Sequence, residues 1–246
     1  MARVIIDPKN ISGSRALLSR EEARHIMNVL RLKVGDEVEA FDGEGRVYRA
    51  RIEKLNRAQG TLNLIESRAA AEEEAPVVEL FLGLAKGDKM DFVVQKATEI
   101  GIRSFTAFSS SRSIPKWDSH KAGSRLQRWK RISREACKQC GRNILPEIRG
   151  VKEFHEALQS GQRNPRRYIF WEEEKGTGIK DVLKSSGASE PVCCVIGPEG
   201  GFSPFEIEEA KSAGFIPVGL GQRILRLETA ALVVLSVLQY GRREPG

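Results

Sequence analysis

The chain has 246 residues, of which 40% are hydrophobic and 30% are charged, a composition that excludes a disordered or fibrous protein and suits one or two globular domains. No apolar run is long enough to cross a bilayer, and the N-terminus lacks the apolar centre and cleavage site of a signal peptide. The four cysteines show neither a disulfide framework nor a metal-ligand spacing, so we interpret them as reduced thiols of a cytosolic protein.

The positive charge of the chain is concentrated in one segment. The formal net charge is +7, and residues 112–149 contain eleven basic and three acidic residues, so the rest of the chain is close to neutral. A local excess of this size indicates a polyanionic partner, and nucleic acid is the first candidate. A solvated helix face is the alternative that charge alone leaves open.

The first 66 residues have the pattern of a small β-rich unit. A capping box formed by Ser19 and Glu22 predicts a helix that runs to about Leu32. Alternating apolar and polar residues, separated by turn residues, predict the strands Glu37–Phe41, Val47–Leu55 and Thr61–Ile65. The stretch Glu66–Ala75 is acidic and lacks an apolar face, so we interpret it as a linker.

From Val77 onward, predicted strands alternate with predicted helices, which favours an α/β layer architecture. The predicted strands are 77–84, 104–108, 168–171, 192–196 and 216–219, and the predicted helices are 88–101, 119–140, 154–160, 179–184, 204–213 and 228–240. On the 119–140 helix, the residues expected on the buried face are Leu126, Trp129, Ile132, Ala136 and Cys140. The basic residues expected on the opposite face are Arg125, Arg128, Arg131, Arg134 and Lys138.

Two glycine-bearing loops follow predicted strands, the position where ligands bind in open α/β sheets. The first loop, Gly197–Gly201 (GPEGG), lies between a strand that ends at Ile196 and a helix with Ser203 at its N-cap and Glu206 at N3. Neither the P-loop pattern nor the dinucleotide pattern is present, and Glu199 would repel phosphate. We therefore expect the glycines to hold a ligand without phosphate, with a tight turn that binds nothing as the alternative.

The second loop connects Leu220 and Gly221 to a helix that carries Glu228 in its first turn. Arg223 and Arg226 place guanidinium groups beside this loop. A surface position is the alternative for Arg223, and favourable charge at a helix N-terminus is the alternative for Glu228.

These two loops, in this order, resemble the trefoil-knotted SPOUT class of S-adenosylmethionine-dependent RNA methyltransferases. GPEGG followed by LGQRILRLETA is similar to the family that methylates N3 of a uridine in 16S ribosomal RNA of the small subunit. Further matching stretches at 25–45, 86–101 and 128–148 extend the resemblance over nearly the whole chain. The Asn-Gly-Arg and Asn-Val-Ser motifs typical of the ribose 2′-O-methylating branches are absent from this sequence.

The resemblance implies an α/β protein with two domains. A PUA-like RNA-binding β-barrel would occupy residues 1–70, and a trefoil-knotted methyltransferase domain would occupy residues 71–246. The protein would be a homodimer packed through helices that include the last one, and its substrate would be 16S rRNA or the small ribosomal subunit, without a membrane or a metal. S-adenosylmethionine would be bound, with its adenine near the backbone of the second loop, by Ile196, Gly197, Pro198, Gly200, Gly201, Leu220, Gly221, Ile224 and Leu225.

Methylation at N3 requires that the uracil is unpaired, that N3 loses its proton and that N3 lies in line with the methyl group. Arg226 is the candidate that stabilises the developing anion, and Glu199 and Glu228 are candidates for the general base or for holding the base edge. Solvent could instead take the proton. The arginines expected to contact RNA are Arg3, Arg15, Arg24, Arg31, Arg112, Arg128, Arg131, Arg134 and Arg142.

Two other functions are compatible with parts of this pattern. The first is a SPOUT methyltransferase that acts on another RNA position, such as a ribose 2′-hydroxyl. The second is a non-catalytic RNA-binding or ribosome-assembly factor, although such a protein would have no use for the two glycine-bearing loops.

Overall fold

The structure, a computed structural model, describes residues 1–70, 77–114, 117–185 and 190–242. The chain divides into two compact units. The N-terminal unit comprises residues 1–73 and 134–145, and the C-terminal unit comprises residues 74–133 and 146–246. Within the described ranges, no helix combines the length and the apolar character needed to cross a membrane.

The N-terminal unit is built on one six-stranded sheet. Its strands are β1 (Arg3–Ile5), β2 (Ile11–Ser12), β3 (Arg15–Leu18), β4 (Glu37–Phe41), β5 (Arg46–Leu55) and β6 (Gly60–Ala69). In space they follow the order β1-β4-β5-β6-β3-β2, with β1 parallel to β4 and the other neighbours antiparallel. Side chains from alternate positions, among them Val38, Ala50, Ile52 and Leu62, form its core.

Strand β6 runs further than the sequence predicts. Residues Glu66–Ala69 pair with Arg46–Arg49 of β5, so the predicted start of the linker at Glu66 is wrong, while residues 71–75 of that prediction lie outside the described part of the chain. All four side chains of Glu66–Ala69 are exposed. No apolar alternation therefore marks this end of the strand. Strands β1, β2 and β3 were likewise not predicted, because they have two to four residues each.

Helix α1 (Arg20–His25) starts as predicted, since the Ser19 side chain accepts a hydrogen bond from the Glu22 amide at 3.2 Å. The α-helix ends at His25 and continues as a π-helical turn over Ile26–Leu30, so the predicted end near Leu32 is wrong for the α-helix. Arg31 closes the turn with a φ of 55°. Such a left-handed conformation is costly for a residue with a side chain.

Helix α3 (Ser119–Cys140) is confirmed in extent, but two of its predicted orientations are wrong. Cys140 is exposed, and Lys138, expected on the solvent face, is only 8% exposed. The reason is a buried ion pair within the N-terminal unit: Lys138 Nζ lies 2.9 Å from a carboxylate oxygen of Glu22. A buried ammonium group is tolerated only with such a partner.

The C-terminal unit is a layered α/β structure. Its strands are β7 (Val78–Gly83), β8 (Ser104–Ser109), β9 (Glu147–Glu153), β10 (Arg166–Phe170), β11 (Val192–Ile196) and β12 (Ile216–Val218), and its helices besides α3 are α2 (Lys89–Ile100), α4 (Phe154–Gly161), α5 (Ile179–Ser185), α6 (Pro204–Ser212) and α7 (Leu227–Arg242). The sheet has the order β12-β10-β11-β7-β8-β9, and all its pairings are parallel. Two hydrophobic clusters hold its buried side chains, as expected for a parallel sheet that is buried on both faces.

The predicted strands and helices of this unit are confirmed, and β9 is the strand that was missed. Its sequence EIRGVKE has one buried side chain, that of Ile148, so it lacks the apolar run of a central strand. Gly101 ends α2 in the left-handed conformation, as predicted. Ser203 and Glu206 form the predicted capping box at the start of α6.

A buried carboxylate lies near the beginning of β7. Glu79 accepts hydrogen bonds from Arg163 at 2.5 Å, Asn164 at 2.9 Å and Arg149 at 3.2 Å. Burial alone would raise the pKa of Glu79, but these hydrogen bonds outweigh burial and hold the pKa below its ordinary value. The carboxylate is therefore ionised and stabilises the amino-terminal edge of the sheet at neutral pH.

Candidate functional site

A cavity of about 280 Å³ opens at the carboxyl ends of strands β10, β11 and β12. Phe170, the last residue of β10, is in register with Ile196 of β11 and Val218 of β12, so the three strands end side by side. This is the edge at which ligands bind in open parallel sheets. The cavity is lined by Lys89, Phe170, Trp171, Glu172, Ile196, Gly197, Pro198, Glu199, Gly201, Leu220, Gly221, Arg223, Ile224, Leu225, Arg226, Leu227 and Ala230.

The GPEGG loop is shaped by close backbone packing. Gly201 has a φ of +68°, and a Cβ atom there would lie 2.2 Å from a carboxylate oxygen of Glu172. Gly83, the last residue of β7, packs on the same loop, because a Cβ atom there would lie 2.3 Å from the Pro198 nitrogen. The contact at Gly83 is with backbone, so a side chain there would require the loop to move, whereas at Gly201 the positive φ is what favours glycine, because the Glu172 carboxylate can swing away. The glycines thus keep the peptide groups of the loop at the cavity wall.

Eight of the nine residues predicted to bind the cofactor line this cavity, and Gly200 does not. A Cβ atom on Gly200 would lie 3.1 Å from the backbone oxygen of Arg112, and the Arg112 guanidinium donates a hydrogen bond to the Gly200 carbonyl at 3.3 Å. Gly200 therefore packs against the segment that follows β8.

The second loop also contributes to the wall of the cavity. Gly221 turns the chain with a φ of +107°, Leu220 and Leu225 are half-buried, and Ile224 is 82% exposed. Arg226 is exposed at the cavity immediately before α7. Within the described residues its guanidinium group has no hydrogen-bond or ion-pair partner, so it is free to meet a ligand.

A charged cluster at the cavity includes a residue that the sequence analysis missed. Lys89, the first residue of α2, donates a hydrogen bond to Glu199, and its Nζ lies 3.7 Å from a carboxylate oxygen of Glu228. The hydrogen bond with Lys89 lowers the pKa of Glu199, and the same bond raises the pKa of Lys89. One signal could have identified Lys89: a cation at the first position of a helix opposes the helix dipole.

Among the described residues, no group of three or more His, Cys, Asp or Glu side chains could hold a metal ion. Besides the exposed arginines, one buried polar group of a lining residue lacks a hydrogen-bond partner in the described part of the chain: the indole nitrogen of Trp171. A buried donor without a partner is a group that an acceptor on a ligand would satisfy.

In the N-terminal unit, some of the arginines predicted to contact RNA are paired with acidic residues and others are exposed without such a partner. Arg3 is 13% exposed at its side chain and pairs with Glu39 at 2.8 Å, and it lies 4.6 Å from the centre of the Phe41 ring, so its guanidinium is engaged within this unit. Arg15 pairs with Glu53 at 2.6 Å. By contrast, three exposed arginines have no ion-pair partner among the residues described: Arg24, Arg31 and Arg134.

Arg142, also in the N-terminal unit, is half-buried, and its carbonyl accepts a hydrogen bond from Arg3 at 3.3 Å. In the C-terminal unit, Arg128 pairs with Asp91 at 2.6 Å, although its side chain is 48% exposed. Arg112 and Arg131 are exposed. The positive charge that the sequence concentrates in 112–149 is thus partly neutralised by acidic residues from elsewhere in the chain.

Comparison with known proteins assigns the class of each part. The family model of an RNA methyltransferase domain matches residues 72–239, and that of an RNA methyltransferase PUA domain matches residues 18–65. These matches confirm the predicted α/β methyltransferase domain preceded by a PUA-like domain. The knot that the resemblance implies stays a prediction.

The individual relatives are consistent with one another. The ribosomal RNA small subunit methyltransferase E of Bacillus subtilis is 32% identical, over 91% of this chain and 89% of its own length, and that of Synechocystis is 31% identical, over 95% and 76%. The crystal structure of the Neisseria gonorrhoeae enzyme bound to S-adenosylmethionine superimposes with a TM-score of 0.86 at 32% identity, over 97% of both chains. The chain therefore belongs to the ribosomal RNA small subunit methyltransferase E family.

Proposed function

We propose that this protein transfers a methyl group from S-adenosylmethionine to N3 of a specific uridine in 16S rRNA of the small ribosomal subunit. The observation that carries the proposal is the cavity at the carboxyl ends of β10, β11 and β12, which is built from the GPEGG and LGQRILRLETA loops. Family membership supports the same reaction.

The residues of the cavity fit the methyl donor. When bound, S-adenosylmethionine supplies an electrophilic methyl group on a positively charged sulfur. Gly197 and Gly201 offer peptide groups, and the Trp171 indole offers its unpartnered N–H. The carboxylates of Glu172 and Glu199 suit a cationic ligand better than a phosphate. The backbone around Leu220, Ile224 and Leu225 would hydrogen-bond the adenine.

We infer that three side chains serve the chemistry at N3. Arg226 has a free guanidinium group at the cavity and would stabilise the negative charge that spreads to the uracil oxygens when N3 loses its proton. Glu199 lines the cavity, and Glu228 forms an ion pair with Lys89, which also lines the cavity. Either carboxylate would accept the proton or hold the base edge.

The RNA contacts would come from the exposed arginines. We infer that Arg24, Arg31, Arg112, Arg131 and Arg134 contact phosphates directly, whereas Arg15 and Arg128 would first release their acidic partners. Arg3 is held inside the N-terminal unit by its pair with Glu39 and would act indirectly, whereas the half-buried Arg142 would keep its predicted role in RNA contact.

RNA affinity should therefore fall steeply with salt. In a titration of 16S RNA at increasing potassium chloride, the plot of log K against log salt should have a negative slope. The Arg131→Ala/Arg134→Ala variant should reduce that slope by about 0.7–0.9 per lost phosphate contact. Glu208→Gln, on an exposed surface pair, serves as the control. A flat salt dependence of the unmodified protein would remove the arginines from the binding surface.

We further infer a homodimer in the cytosol. Support comes from one face of α7: Val233 and Val237 are only half-buried and Tyr240 is 84% exposed, and their spacing places them on one stripe. An apolar stripe that the described part of the chain does not cover suits a second copy. Sedimentation of the protein and of Val237→Arg would test it, since the variant should sediment as a monomer.

The direct test of the function is methyl transfer from labelled S-adenosylmethionine to unmethylated small subunits and to naked 16S RNA. Nucleoside analysis of the product should give 3-methyluridine, and the better substrate will show whether the assembled subunit shapes recognition. Label on a ribose would indicate a different RNA position. Absence of label, despite bound cofactor, would indicate a binding or assembly factor.

A further inference from the structure

Lys89 has properties that a surface lysine lacks. It is the first residue of the twelve-residue helix α2, where a positive charge opposes the positive end of the helix dipole. Positions that break a local rule without a folding benefit are often functional ones. Lys89 also lines the cavity, and its side chain is 33% exposed.

The ammonium group of Lys89 joins three separate elements. Lys89 itself is the first residue of α2. Its ammonium group donates a hydrogen bond to Glu199 in the loop after β11 and lies 3.7 Å from the carboxylate of Glu228 in the first turn of α7. Loss of this cation would leave Glu199 and Glu228 as two neighbouring negative charges without a shared partner. The loop and the helix would then repel each other at the cavity.

We propose that Lys89 is a positioning residue of the methyl-transfer site, which rests on the proposed function. Its ammonium group holds the carboxylates of Glu199 and Glu228 in one cluster and fixes the loop that carries Glu199 against the cavity. Lys89 acts through Glu199 and has no need to touch the substrate.

The charges around Glu199 give this role a pH signature. Lys89 faces it from α2, Lys86 hydrogen-bonds it through its backbone and adds a second positive charge, and Glu228 and Arg226 lie on the far side of Lys89. Lys89 is the largest influence that lowers the pKa of Glu199. Without Lys89, that pKa rises, so Glu199 becomes protonated at a higher pH. The acid limb of the pH–rate profile should therefore move to higher pH.

Lys96 provides a matched control. It lies on the same helix, is 36% exposed and pairs with Glu99 at 2.8 Å, but Lys96 and Glu99 both belong to α2 and neither lines the cavity. Lys89→Met and Lys96→Met therefore remove the same side chain, the first with its ion pairs to Glu199 and Glu228 and the second with its one ion pair inside α2. Only the first change disconnects the loop from the helix.

The experiment measures kcat, KM and the pH profile of methyl transfer, with calorimetric binding of S-adenosylhomocysteine as a second readout. Lys89→Met should lower kcat by about 10- to 100-fold, the loss expected for charge-assisted hydrogen bonds, and should move the acid limb to higher pH. The Kd of S-adenosylhomocysteine should change by less than about threefold. Lys89→Arg should restore the acid limb, and Lys96→Met should match the unmodified protein.

A double variant separates positioning from general damage. If Lys89 acts through Glu199, Lys89→Met/Glu199→Gln should be no slower than Glu199→Gln alone. A kcat for Lys89→Met equal to that of Lys96→Met, or a loss that is the same at every pH, would overturn the inference. Failure of the unmodified protein to produce 3-methyluridine would instead overturn the proposed function, so the two failures are distinguishable.

Discussion

At the scale of single residues, two arginines line the cavity and neither has a partner among the described residues. Arg226 precedes α7, and its carbonyl accepts the first hydrogen bond of that helix from the Ala230 amide at 2.8 Å. Its backbone is therefore fixed at the cavity. Arg223 lies in the middle of the exposed loop, next to Ile224. The structure thus favours Arg226 as the group that meets developing charge.

Arg226→Ala should reduce kcat by about 10²–10³-fold, the effect of removing one donor to a developing anion. The Kd of S-adenosylhomocysteine, measured by calorimetry, should change far less. Arg223→Ala is the matched control and should keep most of the turnover. Equal losses of kcat and of binding in Arg226→Ala would argue against anion stabilisation.

The acidic residues of the charged cluster could be predicted from the sequence, but its lysine could not. Glu199 and Glu228 stand inside recognisable motifs, so the sequence identified both as candidates. Lys89 was missed because its partner Glu199 is 110 positions away in the chain, and no local pattern records that contact. The buried Lys138 was assigned to the wrong face for the same reason, since its partner Glu22 is 116 positions away.

At the scale of elements, the end of β7 and the GPEGG loop form one packed unit. Gly83 lies against Pro198 and Gly197, with no space for a side chain. The loop therefore receives its shape partly from a strand that contributes no lining residue of its own.

Gly83→Ala should displace the loop, destabilise the protein by about 1–3 kcal/mol and weaken S-adenosylhomocysteine binding. Gly123→Ala, in α3, is the control: a Cβ atom there meets nothing within 4 Å, and alanine should add about 0.5–1 kcal/mol of stability. Urea denaturation and calorimetry measure the two effects. Unchanged binding by Gly83→Ala would show that the loop is shaped without this contact.

The buried ion pair between Lys138 and Glu22 should be sensitive to removal of one partner. Lys138→Met leaves a buried carboxylate uncompensated and should cost about 3–5 kcal/mol in urea denaturation. Lys138→Met/Glu22→Leu should recover most of that loss, and the exposed Lys130→Met should change stability by less than about 0.5 kcal/mol. If Lys138→Met were as stable as the unmodified protein, the buried ion pair would not contribute to stability in this way.

The elements themselves were predictable where they are long and amphipathic or buried on both faces, as in β7, β11 and α2. The missed strands are short, or lie at the edge of a sheet with polar side chains on both faces, as β9 does. Their position is set by pairing with a neighbouring strand. Pairing depends on backbone hydrogen bonds, which leave little trace in side-chain pattern.

At the scale of the whole molecule, the C-terminal unit has a group of charged side chains at each end of its sheet. The cavity and Glu199 lie at the carboxyl ends of the strands, and Glu79 with its arginines lies near the start of β7. The first group belongs to the proposed reaction site, and we expect the second to serve stability.

Glu79→Gln should lower the free energy of unfolding at pH 7 by about 1–3 kcal/mol. Because the folded state holds the pKa of Glu79 below its ordinary value, the stabilisation is present above that value and is lost as pH falls through the folded pKa. The difference between the two proteins should therefore shrink below about pH 4. Urea denaturation at pH 7 and pH 3.5 measures this, with Glu208→Gln as control. A difference that stays constant with pH would exclude Glu79 as its source.

The cavity and the Glu79 cluster lie at opposite ends of the strands, so stability and activity can be changed by substitutions in different places. Substitutions around Glu79, Arg149 and Arg163 can raise or lower the melting temperature without touching the wall of the cavity. Substitutions near Gly83 affect both the melting temperature and the shape of the cavity. A heat-resistant form should therefore be sought at the amino-terminal edge of the parallel sheet. Variation in substrate choice or rate should be sought among the loops at the other edge.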